Sequence, residues 1–142
     1  MAKASLKKIS KMMKDLDYCM LNTVNGRGVP SGRPMSNNHE VEYDGTSYFF
    51  TWAKSDMVKE IKKNANVSLS FMGSKLLKKR TFISVTGKAS LTNDRAAMEE
   101  HWSKDLEIWF KDGLDTKGIM MIEVQAKYLK YWKGSEEGEC KI

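Results

Sequence analysis

Asn66-Val67-Ser68-Leu69-Ser70-Phe71-Met72 alternates without a break: Val67, Leu69 and Phe71 face one way, Ser68 and Ser70 the other. A period of two marks a half-buried strand. Beyond the basic loop from Gly73 to Arg80, Ile83, Val85, Ala89 and Leu91 keep the same period through Gly87. Strands joined by so short a loop must pair antiparallel, because parallel neighbours need a crossover of about a dozen residues or more. This pair sets the expectation of an antiparallel sheet for the rest of the chain.

Toward the N-terminus, Leu6, Ile9, Met13 and Leu16 form one helical stripe with lysines on the other faces, which predicts a helix over 2–16. Tyr18 to Val24 reads as a strand, and Asn25-Gly26-Arg27-Gly28 supplies left-handed turn residues. Val29 to Tyr43 follows as a long irregular strand broken by Pro30, Gly32 and Pro34, and Asp44-Gly45 reads as a hairpin turn into an aromatic strand, Ser47 to Trp52. Ser55 can cap a short helix bearing Met57, Val58 and Ile61, with Asn64 near its end. Toward the C-terminus, residues 94–104 read as helix with Met98, His101 and Trp102 on one face. Leu106 to Phe110 is ambiguous, and Ile119 to Gln125 is a sixth strand that Lys127 to Lys133 could extend.

Six or so antiparallel strands with short helices at the corners predict a mainly β fold, a small barrel that closes to remove its edges. No repeat, linker or low-complexity segment interrupts the chain, so residues 1–142 read as one domain with a polar tail at 134–142. The composition, 41% hydrophobic and 30% charged, is that of a globular protein and argues against disorder. No apolar run approaches the roughly 18 residues that span a bilayer. The N-terminal lysines precede no apolar stretch of the secretory kind, so the expected location is the cytoplasm without membrane association. Two cysteines, Cys19 and Cys140, build neither a disulfide framework nor a zinc site. The net charge of +6 sits largely on the first helix and on Lys75 to Arg80, and reads as a solubilising surface before a nucleic-acid footprint.

No Gly-rich phosphate loop, metal-spaced His/Cys cluster or nucleophile motif is present, and His39 and His101 lie on different predicted elements, each read as a surface or packed histidine. Reactivity is therefore expected from a cofactor. Arg33-Pro34-Met35 places a proline inside a strand, which belongs at an edge or a bulge where backbone groups are unpaired. A planar heterocycle with donor and acceptor edges suits such a site, and Arg33 could serve an anionic group; a proline that only protects a sheet edge is the plainer reading. Phe49-Phe50-Thr51-Trp52, then Lys54-Ser55-Asp56 opening a helix, is either a phosphate seat or an ordinary serine cap.

Taken in order, Arg33-Pro34-Met35, Asp44-Gly45, Tyr48-Phe49-Phe50-Thr51, Ser55 and Val58-Lys59-Glu60-Ile61-Lys62-Lys63-Asn64 before Val67-Ser68-Leu69-Ser70-Phe71 resemble the FMN-binding split-barrel proteins related to pyridoxamine 5′-phosphate oxidase. Val85-Thr86-Gly87-Lys88-Ala89, Ile108-Trp109-Phe110-Lys111-Asp112-Gly113 and Tyr131-Trp132 resemble the general stress protein 26 branch. The resemblance implies a six-stranded Greek-key split barrel, a homodimer with FMN at the subunit interface, and a flavin-dependent oxidoreductase acting on a small molecule. The alternative it leaves open is a non-catalytic split-barrel ligand-binding or stress-response protein. By position, Arg33, Pro34, Met35 and Ser36 would line the isoalloxazine and ribityl region, and Phe50, Thr51 and Trp52 the adjacent wall. Ser55 would approach the phosphate, with Met57 and Lys59 on the helix behind it, while Trp109 and Trp132 match aromatic positions that in relatives lie near the ring, from the same or the partner subunit. One departure stands out: relatives of the oxidase type carry basic residues just after the serine, where this chain has Asp56 and Met57. A carboxylate beside a phosphate needs an offsetting cation, for which Arg33, Lys54, Lys59 and the Lys75 to Arg80 loop are the candidates.

Overall fold

The computed structural model describes residues 1–37, 42–73 and 80–142; His39 and positions 75–79 of the basic loop lie outside the described residues. The alternating segments all form strands. They are β1 (Tyr18–Val24), β2 (Pro30–Ser36), β3 (Thr46–Trp52), β4 (Asn66–Gly73), β5 (Thr81–Thr92), β6 (Ile119–Lys133) and β7 (Glu136–Lys141). Three helices punctuate them, α1 (Leu6–Met13), α2 (Asp56–Lys63) and α3 (Arg95–His101), and 3-10 segments follow at Lys104–Ile108 and Gly113–Asp115. The sheet order is β2-β1-β4-β5-β6-β3 with β7 also on β6, and every pairing is antiparallel. The result is a mainly β, split-barrel-like open sheet with short helices.

Three expectations change. The segments at 119–125 and 127–133 are one strand, whose first half pairs with β3 and whose second half pairs with β7. The 134–142 segment, expected as a polar tail, carries β7, so the sheet has seven strands where six were expected. Its polar residues suit an edge strand, while Gly138 is buried against Tyr131, where a Cβ would lie 2.5 Å from Cε1 and only glycine fits. The N-terminus clamps it: the Ala4 N–H donates to the Glu139 carbonyl at 2.7 Å, and the Glu139 N–H donates to Ala2 at 2.8 Å.

Asp44-Gly45 is not a hairpin. β2 and β3 stand at opposite ends of the strand order. Gly45 takes φ +107, and its carbonyl accepts from the Ala126 N–H at 2.8 Å, so the dipeptide bends the chain onto β6. The Asn25-Gly28 turn is the true hairpin: the Asn25 side chain accepts from Arg27 and Val29, and Gly28 takes φ +78.

Curvature comes from a bulge where β5 and β6 slip register between Thr86 and Gly87. A Cβ on Gly87 would sit 2.3 Å from the Gln125 carbonyl oxygen, so only glycine lets the two backbones approach this closely. The concave face holds the main core: Leu21, Leu69, Val85, Ile122, Val124 and Leu129 are fully buried, and Ile9 and Met13 of α1 cover them. Phe49 points into this core. Its neighbour Phe50 points into a second cluster with Met98, Phe110, Ile119 and Met121, under α3 and the 3-10 segments.

Candidate functional site

The curl brings the two ends of the sheet, β2 and β3, to opposite walls of a cleft of about 450 Å³. That volume is within the range of small-molecule sites. Met35 and Ser36 line one wall, Tyr48, Phe49 and Phe50 the other. Asp17 and Tyr18 stand at one end, and Ser103, Asp105, Leu106, Ile108 and Trp109 come from the segment after α3. Asn37, Tyr48, Phe49 and His101 are shared with an adjoining groove of about 270 Å³ that also has Lys11, Lys14 and Glu42 in its lining.

Local chemistry fixes these walls. Asn37 ends β2 by donating through its side-chain amide to the carbonyls of Met13 (2.9 Å) and Leu16 (2.7 Å), tying the strand end to the chain that leaves α1. Asp94 caps α3 by accepting from the Ala97 N–H, and Arg95 ties the helix to Asp115 at 2.6 Å, anchoring the far wall. At the seam between the two grooves the Tyr48 and His101 rings stack, with centroids 3.4 Å apart and planes 8° from parallel. Burial, then the carboxylates of Glu123, Asp44 and Glu100, push the Tyr48 phenol above its ordinary pKa.

The site residues expected from sequence divide into groups. Met35, Ser36, Phe50 and Trp109 line the larger cleft, with Trp109 66% exposed at its mouth. Pro34 is exposed on the edge strand, opposite Met20. Arg33 is engaged inside the protein: its guanidinium donates to the Leu21 carbonyl (3.1 Å) and to Thr23 Oγ1 (2.7 Å), and pairs with Glu60 at 3.5 Å. Thr23 in turn donates to the same Glu60 carboxylate. Ser55 is the N-cap of α2, its Oγ accepting from the Val58 N–H at 3.3 Å. Met57, at 5% exposure, packs in the main core. Lys59 is exposed on α2, Thr51 is half-buried opposite Met120, and Trp52 packs on Phe110 with centroids 5.0 Å apart. Trp132 pairs with Phe82 on the convex face, away from the cleft lining.

Sequence reasoning missed Asp17, Tyr18, Asn37, Tyr48, His101, Ser103 and Asp105 as cleft residues. The aromatic run at 48–52 signalled Tyr48, and the face shared by Met98, His101 and Trp102 signalled His101; nothing local linked the two. Among the described residues no group of three or more His, Cys, Asp or Glu could hold a metal, and no helix is long and apolar enough to cross a membrane.

Comparison with known proteins places this geometry. A family model described as "Pyridoxamine 5′-phosphate oxidase like" matches residues 4–142. Similar solved structures include a protein related to general stress protein 26 from Clostridium acetobutylicum, at 22% identity and TM-score 0.79 over 95% of this chain and 92% of that one. General stress protein 26 of Bacillus anthracis has 22% identity and TM-score 0.75 over 96% and 98%. A heme binding protein of Mycobacterium smegmatis has 10% identity and TM-score 0.77, over 99% of this chain and 60% of that one. At these identities the structural likeness speaks for the fold alone. A search of curated proteins finds no match.

Proposed function

Because the chain belongs to the pyridoxamine 5′-phosphate oxidase-like family, we propose that it binds a flat flavin-type ring between β2 and β3 and serves as a flavin-dependent oxidoreductase of a small molecule. The observation that carries this reading is the cleft, an aromatic slot between two edge strands with polar groups at its borders. Phe50 and Trp109 offer apolar ring contacts, and Ser36, Asn37 and Ser103 offer groups that can meet the edge of a heterocycle. Bound flavin would supply the electron transfer that no side chain here offers.

The ring and the phosphate of FMN fare differently. The lining suits the ring. For the phosphate, the larger cleft offers Asp17 and Asp105 and, among the described residues, no lysine or arginine. Arg33 is committed to Glu60, and Ser55 caps a helix that opens with Asp56. Affinity on this reading therefore comes from the ring.

A homodimer belongs to the same reading. Met72, Phe82 and Trp132 lie side by side across β4, β5 and β6 on the convex face, and the Cys19–Phe71 pairing brings Tyr18 of β1 alongside Met72. Tyr18 is 62% and Met72 69% exposed. An apolar row of this kind marks an interaction surface, and because Tyr18 also lines the cleft, a second copy seated on the row would lie at its mouth. A reducing, cytoplasmic setting suits the two free cysteines.

The test is an absorption spectrum of the purified protein before and after adding FMN or riboflavin. Flavin absorbance that stays with the protein, and weakens several-fold in Trp109→Ala, is the expected result. A colourless protein that perturbs neither flavin's spectrum contradicts the reading. The internal commitment of Arg33 favours the second reading, a non-catalytic ligand binder; flavin that binds but is never reduced by a nicotinamide cofactor would select it.

A further inference from the structure

We infer that the stretch from Ser103 to Trp109 is a flap that closes Ile108 and Trp109 over a ring held in the larger cleft. This rests on the reading that the cleft takes a planar ring, and it adds how the ring is retained there. The stretch leaves α3 through extended backbone at Trp102 and Ser103, makes one 3-10 turn, and rejoins the body at Phe110. Both stems are pinned at one place. Phe110 is buried in the second cluster, its ring lies 6.0 Å from that of Trp102, and Trp102 meets Phe50 edge-on at 5.0 Å. Between the stems the hold is weak. The 3-10 turn buries none of its residues and has no side-chain cap, and the N–H groups of Leu106, Trp109 and Phe110 donate to carbonyls of Ser103 and Leu106, inside the same stretch. Such 3-10 bonds have poor geometry, and local opening is easiest where few apolar contacts must break.

The tip is apolar. Ile108, at 76%, is the most exposed large apolar side chain among the described residues, and it stands beside Trp109 in the cleft lining. A ligand favours a closed form only through contacts that the open form lacks. A flat ring supplies them, because it offers apolar surface to two side chains otherwise in water. Phe50 couples ring and flap: it lines the cleft and also packs on Trp102 at the flap's base.

The test is hydrogen exchange of the full chain, followed by mass spectrometry, with and without riboflavin. In the free protein the amides of Leu106, Trp109 and Phe110 should exchange fast. Riboflavin at about ten times its Kd should slow them by about tenfold, by linkage of binding to the closed form, while the amides of β7 keep their rates. Ile108→Ser changes an exposed residue and should leave the fold intact. It should still bind riboflavin, release it roughly tenfold faster and lose most of the protection. Glu107→Ser alters the same turn outside the cleft lining and should match the wild type in every respect. Riboflavin that binds but leaves these amides unchanged, or that Ile108→Ser releases at the wild-type rate, overturns the flap and leaves the planar-ring reading standing. Riboflavin that does not bind, by equilibrium dialysis, overturns the planar-ring reading beneath it.

Discussion

Replacing Glu60 by glutamine tests whether Arg33 is held inside the protein or left for a ligand. Glu60 meets Arg33 at 3.5 Å, with the two side chains 18% and 25% exposed, and it accepts the hydroxyl of Thr23, a residue with no exposed surface. Glutamine keeps an acceptor for Thr23, so the substitution removes the charge and little else. A hydrogen bond to a charged group contributes about 1.5–3 kcal/mol; partial exposure reduces this, so we expect a loss of about 1–2 kcal/mol. Glu60→Ala also removes the acceptor of the buried Thr23 O–H, which keeps only the bond it accepts from Arg33, adding about 1 kcal/mol or more. For a chain of this size each kcal/mol lowers Tm by about 3–4 °C. The assay is urea unfolding of Glu60→Gln, Arg33→Met and the double variant, which isolates the pair through its coupling energy. A coupling of about 1 kcal/mol supports the internal pair. Zero coupling, with an unchanged midpoint for Glu60→Gln, refutes it and returns Arg33 to the pool of groups available to an anion.

Other expectations follow from packing and titration. Gly87→Ala drives a methyl against the Gln125 carbonyl at the bulge; a loss of about 1–3 kcal/mol or more is expected, and urea unfolding reads it. Cys19 is buried and its thiol is pushed up to about 12 from 9.0 by desolvation. Between those values the unfolded chain releases a proton that the folded chain keeps, so stability falls as pH rises through this window, by about 1.4 kcal/mol per unit. Cys19→Ala should flatten that slope, and a thiol reagent added to the native protein near neutral pH should label Cys140 and spare Cys19. Met72→Lys with Phe82→Lys should turn a dimer into a monomer by sedimentation; a wild-type chain that already sediments as a monomer refutes the interface.

Much of the fold was legible because strand alternation is local. Val67, Leu69 and Phe71 declared β4 without help from distant residues, and the Ser55 cap announced α2. The Asp44-Gly45 misreading has a physical cause: its turn chemistry is real, but a turn does not say which strand the chain will join, and β6 competes successfully for β3. The strand at 136–141 was hidden because an edge strand needs few apolar residues, and the N-terminal residues that clamp it are remote in sequence. The site was legible in part. Met35, Ser36, Phe50 and Trp109 carried a family pattern, whereas Met57 carried it only in position and packs inward. The Tyr48–His101 stack joins residues on different elements, and the commitment of Arg33 to Glu60 depends on α2 lying against β1. Neither has a local signature.

The most direct measurement of the central claim is the location of the ring in a crystal structure of the protein grown with saturating riboflavin. We predict a flat ring between β2 and β3, against Phe50 and beneath Trp109. Ring density elsewhere on the protein, or an empty cleft at saturation, would contradict the account.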